Sequence, residues 1–92
     1  MNEMEHSQNY AFRNQIERAA MSVMNNIAEG FERRTAKDFG HFLDIAKASC
    51  GEVRSMLYLA EDRCFITLEK CRHLREQARQ LSAKIAAFRR HL

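Results

Sequence analysis

The chain has 92 residues, with 15 Lys/Arg against 12 Asp/Glu for a net charge of +3, three glycines and no proline. A chain this short makes one domain and buries only about 60–65% of its unfolded surface, so its core is modest and association commonly supplements it. The scarcity of turn formers excludes a many-stranded β fold, and the lack of any apolar run near 18 residues excludes a helical membrane span.

Residues 1–8 are polar and lack the apolar stretch of a signal peptide, so they read as a flexible lead-in. A first helix is expected over residues 10–29. Its apolar positions Phe12, Ile16, Ala19, Ala20, Val23 and Ile27 recur at three and four and form one stripe. Gly30 then suits a left-handed C-terminal cap, with Phe31 folding back onto the helix end. A second helix is expected over 36–62. Thr35 is a good N-cap, and Asp38 lies in the first turn, where the helix dipole favours a negative charge. Its stripe Leu43, Ala46, Cys50, Val53, Leu57, Ala60 and Cys64 alternates gaps of three and four, the pattern of a bundle seam. Gly40 and Gly51 interrupt this helix at a cost of about 1 kcal/mol each, which suggests a close approach or a tolerated surface position. A third helix is expected over 68–91, capped by Thr67 and stapled by Ile66 against Cys71. Its stripe is Cys71, Leu74, Ala78, Leu81, Ile85, Phe88 and Leu92. The short connections make successive helices antiparallel neighbours, so the fold class is an all-α antiparallel bundle in a single domain, 1–92.

Chemistry-bearing clusters are scarce. Cys50, Cys64 and Cys71 are odd in number and lack metal-type spacing; without an export signal they read as reduced thiols in the cytoplasm. His6, His41, His73 and His91 are scattered, with no partner at the spacing a metal needs. No activated nucleophile and no glycine-rich phosphate loop is present, so neither an enzyme nor a cofactor or metal protein is expected.

Charge is unevenly placed. Residues 1–66 hold 8 Lys/Arg against 10 Asp/Glu, whereas residues 67–92 hold 7 against 2. The basic third helix is the main candidate for nucleic-acid contact, through Arg72, Arg75 and Arg79, which recur at three and four, extended by Lys84, Arg89 and Arg90. Arg33, Arg34 and Lys37 form a second basic corner, which solvation or pairing with Glu29 and Glu32 also explains. Exposed aromatics for base stacking are few, with Tyr58 the candidate. Ser22, Asn26 and Glu29 share one helical face. They read either as part of a polar site or, with Ser49 and Glu52, as helix–helix hydrogen bonds.

The stretch Gln15-Ile16-Glu17-Arg18-Ala19-Ala20-Met21-Ser22-Val23-Met24-Asn25-Asn26-Ile27-Ala28-Glu29-Gly30 resembles a hallmark of one bacterial family. The likeness continues through Arg33-Arg34-Thr35, Phe39, Phe42-Leu43, Ile45-Ala46, Ala48-Ser49 and Glu52. The family is that of the four-helix bundle proteins encoded in intervening sequences of 23S ribosomal RNA genes, to which accessory proteins of diversity-generating retroelements are related. The resemblance implies a left-handed up-down four-helix bundle that assembles as a homopentameric ring. Its retroelement relatives present basic surfaces to nucleic acid and bind a reverse transcriptase. Members usually carry a further helix before the position of Tyr10, where this chain offers only residues 1–9. A three-helix protomer would leave an apolar groove for a neighbour to fill. The expected function is a non-enzymatic oligomeric bundle binding structured RNA, or alternatively an accessory subunit for a partner such as a reverse transcriptase.

Overall fold

The computed structural model describes residues 3–92, and three antiparallel helices take up nearly all of them: α1 Glu3–Phe31, α2 Ala36–Asp62 and α3 Leu68–Arg90. No strand occurs among the described residues.

α1 begins well before the expected residue 10, so the lead-in reading is corrected from Glu3 onward, while Met1 and Asn2 lie outside the described residues. Nothing between Glu3 and Asn9 breaks a helix, and Gln8 accepts a hydrogen bond from Arg63 Nη1 at 3.3 Å, which ties this turn to the far end of α2. The other end of α1 also differs from expectation. The helix runs through Gly30 to Phe31, and no glycine adopts a positive φ. Gly30 serves close packing instead: a Cβ there would lie 3.1 Å from Phe39 Cδ1 and 3.3 Å from Phe42 Cβ. Its lack of a side chain lets the start of α2 lie against the end of α1.

α2 begins at Thr35, which is extended and whose Oγ1 accepts from Asp38 N–H at 3.1 Å. Its end carries the left-handed residue that the sequence had suggested at Gly30. Cys64 sits at φ 58°, Cys64 N–H donates to Glu61 O, and Phe65 N–H donates to Ala60 O at 2.9 Å. These two bonds are a Schellman cap, and Phe65 folds its ring onto Phe12 with centroids 5.2 Å apart. Cys64 is therefore exposed rather than part of the apolar stripe. A side chain in this region costs about 1–2 kcal/mol, so Cys64→Gly is expected to raise stability by about 1 kcal/mol. Urea denaturation checks this; an unchanged or lower midpoint would show that the cap is not strained. α3 starts at Thr67, whose Oγ1 accepts from Lys70 N–H at 3.3 Å, and Ile66 packs against the cluster that holds Cys71.

α2 is the central helix. Both α1 and α3 pack on it, but among the described residues no Cα of α1 comes within 8 Å of one of α3. The molecule measures 51 × 22 × 13 Å along its principal axes. Packed helices lie about 8–10 Å apart, so these dimensions match three corners of a square whose diagonal, roughly 14 Å, separates α1 from α3. The core forms two clusters along α2. Val23, Leu43, Ala46, Cys50 and Ile85 fill one; Phe12, Met56, Ala60 and Cys71 fill the other. Of the two glycines inside α2, Gly40 lies beneath the Arg89 guanidinium, where a Cβ would come within 2.5 Å of Cζ. Gly51 faces open space, and no contact explains it.

Candidate nucleic-acid interface

Because the helices alternate in direction, the end of α1, the start of α2 and the end of α3 meet at one pole. A ring triad pins them together: Phe31 to Phe39 at 4.8 Å, Phe39 to Phe88 at 5.5 Å and Phe31 to Phe88 at 6.2 Å. The corner Arg33, Arg34 and Lys37 thus shares a pole with Arg89 and Arg90, which lie more than fifty positions later in the chain. Lys84 borders the groove beside Phe31 and Phe88.

These cations divide into held and available ones. Arg33 donates to Glu29 at 2.6 Å and lies 5.4 Å from the centroid of the Phe42 ring. Arg89 donates to Asp44 at 3.3 Å while covering Gly40. Among the described residues, Arg34, Lys37, Lys84 and Arg90 have no carboxylate within ion-pair distance, and all four are exposed. Arg89 and Arg90 also occupy the last turn of α3, where the helix dipole favours positive charge. Four exposed cations around one end, without carboxylate partners among the described residues, are suited to phosphate neutralisation.

The Arg72, Arg75 and Arg79 set is divided by the structure. Arg75 turns inward, donating to Glu61 at 2.9 Å and lying 4.2 Å from the centroid of the Tyr58 ring; its side chain is only 15% exposed. It clamps α3 to α2, and it engages the same Tyr58 ring considered for base stacking. Arg79 makes a forked pair with Glu76, with contacts of 2.6 and 2.9 Å. The hydrogen bond from Arg79 lowers the Glu76 carboxyl below its ordinary value, and the same bond raises the Arg79 guanidinium. Arg72 alone of the three has no such partner among the described residues.

The polar set is likewise split. Ser22 and Ser49 share a hydroxyl hydrogen bond at 2.9 Å across the α1–α2 interface. Asn26 Nδ2 donates to Ser22 O at 2.7 Å and to Ser22 Oγ at 3.1 Å. These three satisfy one another between packed helices. Glu29 belongs to the Arg33 pair, and Glu52 is exposed on α2. Cys50 and Cys71 are buried, and burial pushes the Cys50 thiol up against the opposing influence of Arg54, which keeps it protonated and weakly nucleophilic. His41 lies edge-on to Phe42, and His91 is the C-cap of α3. The His6 side chain lies outside the described residues. No cluster of His, Cys, Asp or Glu able to hold a metal occurs among the described residues, and no helix there is long and apolar enough to cross a membrane.

Sequence reasoning missed which part of α3 joins the pole, and it did not show that Phe31 and Phe88, though packed on Phe39, stay 62% and 44% exposed. A second stripe on α1, Ala20, Met24, Ile27 and Phe31, was the available signal for an uncovered face.

A family model described as the 23S rRNA-intervening sequence protein matches residues 1–87. No curated protein and no solved structure gives a match. The family match spans α1, α2 and most of α3, and takes in Arg33, Arg34, Lys37 and Lys84. With nearly its whole length matched, the chain belongs to the 23S rRNA-intervening sequence protein family.

Proposed function

We propose that this protein is a non-enzymatic, homo-oligomeric helical-bundle protein of the cytoplasm that binds structured RNA through its basic pole. The observation that supports this reading is the convergence of Arg34, Lys37, Lys84 and Arg90, all without carboxylate partners among the described residues, at one end of the bundle. Neutralised phosphates release condensed counterions, so such a pole gives affinity without base readout. Assembly into the five-membered ring that the family resemblance implies would repeat the pole on every copy, and avidity would multiply a weak single contact.

Titration of a structured RNA hairpin against the purified protein between 50 and 200 mM salt tests the reading. Four phosphate contacts per chain predict a slope of log affinity on log salt of about −3 to −4 per bound chain. Absence of binding at the low-salt end ends the proposal.

A second reading, an accessory subunit for a partner protein such as a reverse transcriptase, is favoured by the uncovered apolar side of the bundle. The square has three helices at its corners, and a fourth helix would complete it.

A further inference from the structure

We infer that Arg33, seated over the Phe42 ring, is a stacking platform for one unpaired nucleobase, so that the basic pole selects RNA in which a base stands out of the duplex. This rests on the RNA-binding reading above and adds the form of RNA that the pole takes.

Arg33 is held at three points. Its backbone N–H donates to Gly30 O at 3.1 Å, which closes the turn after α1. Its Nη2 donates to Glu29 Oε1 at 2.6 Å. Its Cζ lies over the Phe42 ring, 5.4 Å from the centroid. The ring is itself fixed, because Phe42 is half-buried and its Cβ fits where Gly30 has no side chain. Despite these contacts the Arg33 side chain stays 38% exposed, so a ligand can reach the guanidinium.

A guanidinium held in this way is poorly placed to neutralise a phosphate and well placed to stack. The exposed pair with Glu29 adds little stability and offsets the charge that a phosphate would seek. A planar guanidinium, however, stacks on aromatic faces and on bases alike. One that is already ordered loses little freedom when a base arrives.

The surroundings fit a nucleotide. His41 is exposed and stands edge-on to Phe42, with centroids 5.8 Å apart, which extends the aromatic surface beside the guanidinium. Arg34 follows Arg33 in the same connection, and Lys37 lies one turn before His41 on α2. Both are exposed and lack carboxylate partners among the described residues, so cations for the flanking phosphates lie beside a plane for the base. Stacking tolerates any base, which agrees with affinity that does not read sequence. The similar pair of Arg75 over Tyr58 does not serve, because Arg75 is only 15% exposed. Neither Arg33 nor Phe42 borders the grooves between α1 and α3, so the platform is independent of what covers that side.

The test titrates two RNAs against the full chain by fluorescence anisotropy at about 50 mM salt. One is a short duplex, and the other is the same duplex with a single unpaired adenosine in the middle of one strand. The bulged RNA is expected to bind about tenfold more tightly. Arg33→Lys keeps the charge and removes the plane, so it should erase this preference while leaving duplex affinity and its salt slope unchanged. Phe42→Leu, checked for helicity by circular dichroism, keeps apolar bulk without the ring and should narrow the preference to less than about threefold. Tyr58→Leu should leave it intact. Equal binding of the two RNAs by the unaltered chain would overturn the platform while the RNA-binding pole stands; binding of neither would remove both. A preference that survives Arg33→Lys would overturn the role given to Arg33. Loss of the preference in Tyr58→Leu would overturn it by moving the stacked base to the flank of α3.

Discussion

Leu57→Ala is expected to destabilise the chain by about 3 kcal/mol. Leu57 is 2% exposed and lies on the central helix at the level of the cluster that holds Met56 and Ala60, with Ala46 and Ala60 on the same buried side at 0% exposure. Removing its isobutyl group loses the transfer free energy and leaves a cavity that short alanine neighbours cannot fill. A domain of this size holds about 5–14 kcal/mol in total, so the loss would take a large share. Each kcal/mol moves Tm by about 4–8 °C in a domain this small, which predicts a fall of about 12–24 °C. Urea denaturation should show a lower midpoint at an unchanged m value. Leu59→Ala, two positions away at a side chain 43% exposed, is the control and should cost less than about 1 kcal/mol. Equal losses at the two positions would contradict the placement of α2 at the centre.

The helical character of this chain was readable wherever a local rule had one physical meaning. Thr35 and Thr67 precede apolar-periodic runs, and both hydroxyls accept from the N–H three residues on. The three-and-four gaps of Leu43, Ala46, Cys50, Val53, Leu57 and Ala60 placed those residues inside, and all but the half-buried Val53 are buried. Gly30 misled because a missing Cβ serves two purposes. It permits a left-handed backbone and it permits close approach, and only the position of Phe39 decides between them. Cys64 misled for the complementary reason. Its apolar character fitted the stripe, yet the bond from Phe65 N–H to Ala60 O holds it in the left-handed region. The start of α1 had no punctuation to find, since the helix continues through polar residues that carry no stripe.

Charge was legible as composition but not as geometry. The spacing of Arg72, Arg75 and Arg79 places them within one broad arc of a helix, and an arc does not reveal where the neighbouring helix begins. Arg75 falls on the α2 side, where Glu61 and Tyr58 take it up. The pole depends on chain reversal: Arg34 and Arg90 come together only because α1 and α3 end at the same level beside the start of α2. The face between α1 and α3 was legible in part. The expectation that three helices would leave a groove agrees with the distance between α1 and α3, and Met24 and Phe31 on the second α1 stripe mark where it lies.

The pole and the arginine face make opposite predictions for RNA binding. Arg34→Gln, Lys84→Gln and Arg90→Gln together are expected to weaken hairpin binding about 100-fold at 50 mM salt and to reduce the salt slope by about 3, one for each lost phosphate contact. All three side chains are exposed and lack ion-pair partners among the described residues, with Arg34 in the connection between α1 and α2 and Arg90 the last residue of α3, so folding should change by less than about 1 kcal/mol. Arg72→Ala, Arg75→Ala and Arg79→Ala together should behave in the reverse way. RNA affinity should fall less than about tenfold, because only Arg72 is unengaged, and the salt slope should fall by about 1. Stability should fall by about 1–2 kcal/mol, because the half-buried Glu61 loses its guanidinium partner and Tyr58 loses its cation–π contact. Measuring both variants by the same salt-dependent titration and the same urea curve separates the two sites. A 100-fold loss in the second variant with little in the first would move the interface from the pole to the flank of α3, where the ion pairs to Glu61 and Glu76 would have to open before any phosphate could be held.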